Sequence, residues 1–322
     1  MKNHLSTTLL AVRSRRDALR LFSLPLVSGV SVPSALLASA VQAQTLTLGK
    51  LPRIVSVSGA TTEIVYALGA EKQLVGTDTT SLFPAAAVQT AKVGYMRALS
   101  AEGLLSLRPD AVIGTTEAGP SVVMDQIRSA GVRVELVDAD HSWSEIQRKV
   151  AAVGRATSRW SDAAVLQARL DAQWAAVLTR VAQKTTPGAK KIKAIFILSH
   201  TASPQVSGDN TAAHAMLTYA GLDNALAGPG NPASFRGYRA MTAEALVVAA
   251  PDLIVTTTQG IEASGGMEQF WSRAGLELTP AYKWRSLVAL DALYLIGFGP
   301  RLPQAVSDLH VAAYGANPAR MR

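Results

Sequence analysis

Apolar and polar positions alternate along the chain in a way that predicts short buried strands separated by helices. Apolar runs rich in β-branched residues, at 53–57, 132–137 and 192–198, are typical of strands buried in a parallel sheet. Gly69 and Gly221 stand where helical periodicity ends, as glycines at helix C-termini do. The pattern predicts a β/α lobe before residue 143 and a second after residue 188, with late strands near 286–288 and 293–295.

The stretch 144–187 between these lobes has a helical pattern only. We predict a short helix ending near Gly154 and one long helix over 158–184, which would act as a rigid connector. The predicted organisation is therefore an N-terminal lobe over 44–143, linking helices over 144–187 and a C-terminal lobe over 188–322. The apolar positions with helical spacing are Val165, Leu166, Leu170, Trp174, Val177, Leu178 and Val181.

One stretch of sequence occurs twice, at 94–113 and at 237–255. Both copies have Gly-Tyr, then Arg, then Ser or Thr followed by Ala-Glu, an apolar segment, Pro-Asp and a β-branched run. Ser100 and Thr242 are suited to cap a helix N-terminus, and the acidic residue two positions later favours the positive end of that helix. Each copy thus predicts loop, short helix, turn and strand, and the shared order indicates a duplicated half.

Composition narrows the class of protein. With 322 residues, 48% of them hydrophobic and 17% charged, the chain is long and apolar enough for two folded lobes. It contains no cysteine, which excludes thiolate chemistry and disulfides and suits an oxidising compartment.

The first 43 residues have the pattern of an export signal. Four arginines precede a broken apolar stretch at 21–37, and Val41-Gln42-Ala43 offers small residues for cleavage. The segment around Arg15 and Arg16 is similar to a twin-arginine signal, although Ala18 departs from that pattern and leaves the general secretory route open. Without five basic and one acidic residue of this segment, the formal charge falls from +8 to +4. The remaining charge gives no reason to expect nucleic-acid binding.

The order of these segments resembles the helix-linked substrate-binding proteins of ABC importers for haem, siderophores and cobalamin, and in particular the periplasmic haem-binding proteins. This resemblance implies an α/β fold of two Rossmann-like lobes joined by a single long α-helix, with the ligand cleft between the lobes. It implies a soluble, monomeric periplasmic protein that delivers haem to an ABC permease dimer with its ATPase, downstream of an outer-membrane haem receptor. The matching segments are 53–57, 61–69, 93–102, 107–110, 210–216, 237–244 and 299–303.

The resemblance also implies roles for individual residues in the cleft. Tyr95 would ligate the haem iron as tyrosinate, and Arg97 would stabilise that anion or pair with a propionate. Tyr238 and Arg239 in the second copy would face the porphyrin from the other lobe. His200 is a candidate second iron ligand, with a surface loop histidine as the alternative. His214 is interpreted as structural, and His141 and His310 have no motif around them.

Glu102 and Glu244, one in each copy, would dock onto the two permease subunits, whose two-fold arrangement suits a duplicated pair. The simpler interpretation of each is complementarity to a helix dipole. An exported hydrolase or zinc enzyme is the distant alternative, but the chain has no nucleophile elbow and no histidine pair at metal-ligand spacing. A ferric siderophore or cobalamin on the same fold is the nearer alternative. We therefore expect a binding protein without enzymatic activity and without a membrane-embedded segment.

Overall fold

Residues 50–185, 190–199 and 203–315 are described by a computed structural model of the protein. The predicted export signal at 1–43 and the candidate ligand His200 lie outside these residues.

The first lobe is a four-stranded parallel sheet with the strand order β2-β1-β3-β4. The central strands β1 and β3 are completely buried because helices cover both faces, whereas the edge strands β2 and β4 are partly exposed. Short 3-10 turns follow α1 and precede α2, at Glu71–Gln73 and Ala85–Gln89. The elements in chain order are β1 (Ile54–Ser56), α1 (Gly59–Ala67), β2 (Leu74–Thr77), α2 (Ala101–Ser106), β3 (Ala111–Thr115), α3 (Ser121–Ser129), β4 (Arg133–Val137) and α4 (Trp143–Thr157).

The predicted long helix is α5, Trp160–Lys184. Ser158, in the left-handed region with φ 57°, separates it from α4. Since α4 packs on α1, β3 and β4 of the first lobe, α5 is the part of the predicted linking segment that runs between the lobes. Trp174 of α5 stacks on Trp143 of α4 and meets the ring of Tyr219 edge-on, at centroid distances of 4.8 and 4.9 Å.

The second lobe is a mixed sheet of the order β10-β9-β5-β6-β8, in which β6 runs antiparallel to its neighbours and β7 pairs with β5. A 3-10 turn at Leu276–Leu278 lies between its helices. Its elements are β5 (Lys193–Leu198), β6 (Gln205–Ser207), α6 (Ala212–Tyr219), β7 (Asp223–Asn224), β8 (Tyr238–Ala240), α7 (Ala243–Ala249), β9 (Leu253–Thr257), α8 (Thr258–Ala263), α9 (Met267–Trp271), α10 (Pro280–Lys283), β10 (Leu287–Leu290), α11 (Ala292–Ile296) and α12 (Leu302–Gly315).

The prediction of a strand at 293–295 was wrong, because these residues belong to α11. A run of apolar residues this short does not distinguish a strand from a helix turn. The local signal lay just upstream, where the carboxylate of Asp291 accepts a hydrogen bond from the backbone N–H of Tyr294 at 2.9 Å and caps the helix.

The largest apolar cluster runs through both lobes. It includes Ile64 and Ile146 in the first lobe, Trp174 of α5, and Phe196 and Leu253 in the second lobe. The lobes therefore share one interior on the side of α5 and separate on the other side. Within the described residues, no helix combines the length and the apolar character needed to cross a bilayer.

Candidate functional site

A cavity of about 730 Å³ lies between the two lobes, a size typical of small-molecule and cofactor sites. Its walls come from the loops that follow the strands of both sheets, and its floor comes from the segment before α4 and the segment before α12. In the first lobe, β2 and β3 lie on opposite sides of β1, so the chain changes direction between β1 and β3. Ligands of open α/β sheets bind at such a switch point, at the carboxyl ends of the strands.

Tyr95 stands on the loop that leads into α2, and its side chain lines the cavity. Gly94 before it has a φ of 100°, which favours glycine, and the carbonyl of Met96 accepts a hydrogen bond of 2.9 Å from Gly119 N–H. The loop is thus fixed to the loop after β3. Tyr95 remains 46% exposed, and its hydroxyl has no hydrogen-bond partner among the described residues.

Arg97 also lines the cavity, and its guanidinium contacts the carboxylate of Glu117, which follows β3. Both side chains are more than a third exposed, so the pair is comparable to a surface ion pair of ~0–1 kcal/mol. Because this is the single hydrogen bond of the Arg97 side chain within the described residues, most of its donors remain free for an anionic ligand.

Tyr238 of β8 lines the cavity from the second lobe. Burial raises its pKa to about 12, and the nearby carboxylate of Glu117 adds to this effect. The main chain of Ala213, the guanidinium of Arg97 and the hydroxyl of Thr211 lower the pKa and partly offset the increase. Tyr238 is therefore a neutral phenol at physiological pH and presents a flat apolar and hydrogen-bonding wall.

Arg239 does not lie beside Tyr238 in the cavity. Successive side chains of a strand point to opposite faces, and the Arg239 guanidinium lies over the ring of Phe235, 4.5 Å from its centroid. The repeat predicted a loop for Tyr238 and Arg239, as for Tyr95 and Arg97, but the second pair lies in β8, so Arg239 has different surroundings from Arg97.

His141 lines the floor of the cavity, although no motif surrounds it in the sequence. Its backbone N–H donates to the carboxylate of Glu145 at 2.6 Å, and its carbonyl accepts from the Tyr219 hydroxyl at 3.1 Å. Its ring lies 5.3 Å from that of Phe298. Both His141 and Phe298 have positive φ, of 58° and 50°, and such strained backbone is found mostly at functional sites.

Lys149 is completely buried beneath this floor. Its ammonium donates to the carbonyl of Phe298 at 2.9 Å and contacts the carboxylate of Glu145, one helical turn before it. Desolvation lowers the pKa of Lys149, and the Glu145 carboxylate opposes this shift. The pair joins α4 to the segment before α12 and neutralises the acidic group at the floor of the cavity.

The other two described histidines have structural contacts. His214 lies 3.7 Å from the carboxylate of Asp209 and 3.4 Å from the amide of Asn224. His310 is buried, with its Nδ1 2.9 Å from the carbonyl of Ala220. No group of three or more potential metal ligands occurs within the described ranges.

Glu102 and Glu244 occupy equivalent positions in the first turns of α2 and α7. Each helix is capped by the hydroxyl predicted for it. The Ser100 hydroxyl accepts a hydrogen bond from Gly103 N–H, and the Thr242 hydroxyl accepts one from Ala245 N–H. Both glutamates are exposed, and neither forms an ion pair within the described part of the chain. Their carboxylates are therefore available to an external cation.

Residues 54–294 match the periplasmic binding protein family, and the chain belongs to it. Among curated relatives, the chain is 30% identical to the ABC transporter substrate-binding lipoprotein YvrC of Bacillus subtilis (strain 168), over 84% of this chain and 83% of that protein. It is 29% identical to the vitamin B12-binding protein of Yersinia pestis (strain Pestoides F), over 38% of this chain and 41% of that protein.

Solved structures of periplasmic heme-binding proteins are similar over most of the chain. BhuT in complex with two hemes is 41% identical, with a TM-score of 0.76, over 82% of this chain and 98% of that chain. RhuT from Roseiflexus sp. RS-1 in its apo form is 37% identical, with a TM-score of 0.76, over 83% and 99%. HutB of Vibrio cholerae is 30% identical, with a TM-score of 0.69, over 82% and 99%. The predicted fold of two lobes and the resemblance to this group are confirmed.

Proposed function

We propose that the protein captures haem in the cleft between its lobes and delivers it to an ABC permease for iron or haem uptake. The observation that carries this function is the unpaired, half-exposed phenol of Tyr95 in a cavity of about 730 Å³. The similarity to several heme-binding proteins over nearly the whole length of those chains supports haem over the other ligands of the fold.

Tyr95 is the better candidate of the two cleft tyrosines for the iron. Ferric iron favours a hard anionic oxygen, so the ligand must lose its proton on binding. The pKa of the Tyr238 phenol is raised to about 12, which opposes the loss of its proton. The Tyr95 hydroxyl is half-exposed in the cavity and has no partner among the described residues. Tyr238 would then contact the porphyrin face, and Arg97 would pair with a propionate or with the tyrosinate. A contact from Arg239 would require it to leave Phe235.

The remaining parts of the proposal concern the path of the ligand. The segment 1–43 would direct export to the periplasm, by the twin-arginine or the general secretory route. Glu102 and Glu244 would dock onto cationic residues of the two permease subunits, and the permease ATPase would drive release. The protein would act as a monomer, by binding and without catalysis.

An absorption titration of residues 44–322 with ferric haemin tests the proposal. Wild-type protein should give a saturable Soret shift with a tyrosinate-to-iron charge-transfer band. Tyr95→Phe should lose that band and bind at least tenfold more weakly, a loss of ~1.4 kcal/mol. Tyr238→Phe is the matched control and should keep the band. A wild-type titration without saturation would exclude haem, and a band that persists in Tyr95→Phe would exclude Tyr95 as ligand.

Cobalamin is the second candidate, supported by the vitamin B12-binding relative over 38% of the chain. Calorimetric titration with cyanocobalamin distinguishes the two, because corrin binding would be independent of the Tyr95 phenolate. We expect no heat of binding for cyanocobalamin under conditions where haemin saturates the protein.

A further inference from the structure

The first lobe presents a group of polar atoms without partners at the switch point between β1 and β3. Ser58 follows β1, and Thr115 ends β3. Ser56 pairs with Ile113 in the parallel register, so the ends of β1 and β3 are adjacent, and Ser58 and Thr115 each lie two residues beyond this pair. Both residues line the cavity.

The start of α1 lacks the usual cap. Ser58 occupies the N-cap position with extended backbone, yet its hydroxyl accepts no hydrogen bond from the helix. Gly59 N–H donates to the hydroxyl of Thr80, but the N–H groups of Ala60 and Thr61 have no acceptor among the described residues. A nine-residue helix therefore ends at the cavity with free donors and a positive partial charge.

Thr115 supplies an independent observation that points to a ligand. It is 2% exposed, and its Oγ1 has no hydrogen-bond partner in the part of the chain that the structure describes. A buried hydroxyl without a partner destabilises the folded protein, so such a group usually has a partner in the functional state. Because Thr115 lines the cavity, a ligand bound there could supply this partner.

The donors at this corner of the cavity suit an anion, and the buried carboxylate of Asp78 lies behind them, where it accepts a hydrogen bond of 2.6 Å from the Thr80 hydroxyl. The two glutamates that line the cavity are both paired, Glu117 with Arg97 and Glu145 with the buried Lys149. Helix N-terminal N–H groups and hydroxyls are donors that suit a carboxylate or phosphate oxygen.

We infer that Ser58, the N-terminus of α1 and Thr115 form a carboxylate-binding subsite in the cleft. Under the proposed function, on which this inference rests, the subsite takes one propionate of the haem, and Arg97 is left for the other acidic group. The close approach of Leu293 and the Thr80 carbonyl to Gly59, at 2.6 and 2.7 Å from the position of a Cβ, leaves no space for a side chain at the first residue of α1.

The test compares ferric haemin with its dimethyl ester, in which both propionates are neutral, in the same mild detergent. Thr115→Val should weaken haemin binding about tenfold, equivalent to ~1.4 kcal/mol, and should leave the affinity for the diester within about twofold. The thermal midpoint of ligand-free Thr115→Val should equal or exceed that of wild type, because the substitution removes an unpaired buried hydroxyl. Ser58→Ala should also weaken the binding of haemin.

Ser207→Ala is the matched control. Its hydroxyl is equally buried and unpaired but does not line the cavity, so its removal should leave both affinities unchanged. Unchanged haemin affinity in both Thr115→Val and Ser58→Ala would overturn the subsite, and so would an equal loss for haemin and the diester. A wild type that fails to bind haemin would instead contradict the proposed function.

A comparison without any ligand tests the subsite separately. Ser58→Asp and Ser58→Asn have the same shape, and only the aspartate places a carboxylate at the start of α1. At pH 7 the Ser58→Asp protein should melt at a higher temperature than the Ser58→Asn protein, and the difference should shrink in 1 M salt. A lower midpoint for Ser58→Asp would overturn the assignment of an anion site, whatever the natural ligand is.

Discussion

Glu63 on α1 and Arg301 before α12 are joined by two hydrogen bonds of 2.7 Å, although 238 residues separate them in the chain. The guanidinium also lies over two aromatic rings, 3.7 Å from the centroid of Phe83 and 4.9 Å from that of Tyr294. Together with the bond from Lys149 to Phe298, this pair ties the C-terminal segment to the first lobe on the side of the molecule where the lobes share their interior.

Removing the cation of this pair should destabilise the protein strongly. In Arg301→Met the Glu63 carboxylate, 3% exposed, would remain buried without its partner, at a cost of ~3–5 kcal/mol in the free energy of unfolding. Urea denaturation measures this. Arg128→Met, which breaks an exposed pair with Asp125, should change the free energy of unfolding by ~1 kcal/mol or less. Equal effects of the two substitutions would contradict the prediction.

The raised pKa of Tyr238 predicts a late ionisation. Absorbance of tyrosinate near 295 nm, recorded for wild type minus Tyr238→Phe, should show one phenol that titrates near pH 12 instead of the ordinary ~10. Between these values the unfolded chain loses the proton while the folded protein keeps it, so stability falls as the pH rises. The free energy of unfolding of wild type should therefore fall more steeply with pH than that of Tyr238→Phe between pH 10 and pH 12. If the phenol seen in the absorbance difference titrated near pH 10, the raised pKa of Tyr238 would be contradicted.

Neutralising Glu117 should strengthen the binding of an anionic ligand. Glu117→Gln frees Arg97 and removes a carboxylate from the cavity wall, while the amide keeps the same shape. Because an exposed ion pair contributes little energy, we expect haemin to bind at most about fivefold more tightly, which corresponds to ~1 kcal/mol in the free energy of binding. Glu135→Gln, which removes a carboxylate paired with Arg155, is the charge-matched control and should have no effect on haemin. Weaker binding by Glu117→Gln would mean that Glu117 serves to position Arg97.

Reversing the charges of Glu102 and Glu244 should impair delivery but leave capture unchanged. Each of Glu102→Lys and Glu244→Lys should reduce haem uptake through the cognate permease in proteoliposomes, and the double substitution should abolish it. Haemin affinity and thermal midpoint should match wild type in all three, because both side chains are exposed and unpaired within the described residues. Asp223→Lys, at the amino end of the second sheet, is the control. Normal uptake by the double variant would reject the docking role.

The parts of the fold that were predictable had local signals. The caps Ser100 and Thr242, the loop position of Tyr95 and the helical spacing across 160–184 can all be read from neighbouring residues, and the structure contains the corresponding elements. The predicted loop position of Tyr238 was wrong, because this residue lies in β8. The two antiparallel pairings of β6 had no such signal, because they join short strands from separate parts of the chain.

The floor of the cavity was not predictable for the same reason. His141 reaches it through a turn with positive φ, 46 positions after Tyr95, and no residue near it in sequence points to a ligand. Glu145 and Lys149 have the spacing of an ordinary pair on an exposed helix face, and only the packing of the segment before α12 shows that they are buried. The unpaired hydroxyl of Thr115 is likewise a property of the folded chain alone.

The apolar interior shared by the lobes limits how this protein can change its ligand. One apolar cluster extends from Ile64 through Trp174 to Phe196, so both lobes contribute side chains to the same interior. If one lobe were replaced by the corresponding lobe of a relative, its side chains would not pack closely against those of the other lobe. The two copies of the repeat are thus no longer interchangeable modules, despite their common order of residues. A new specificity would have to arise by single substitutions around the cleft, where the lobes are already apart.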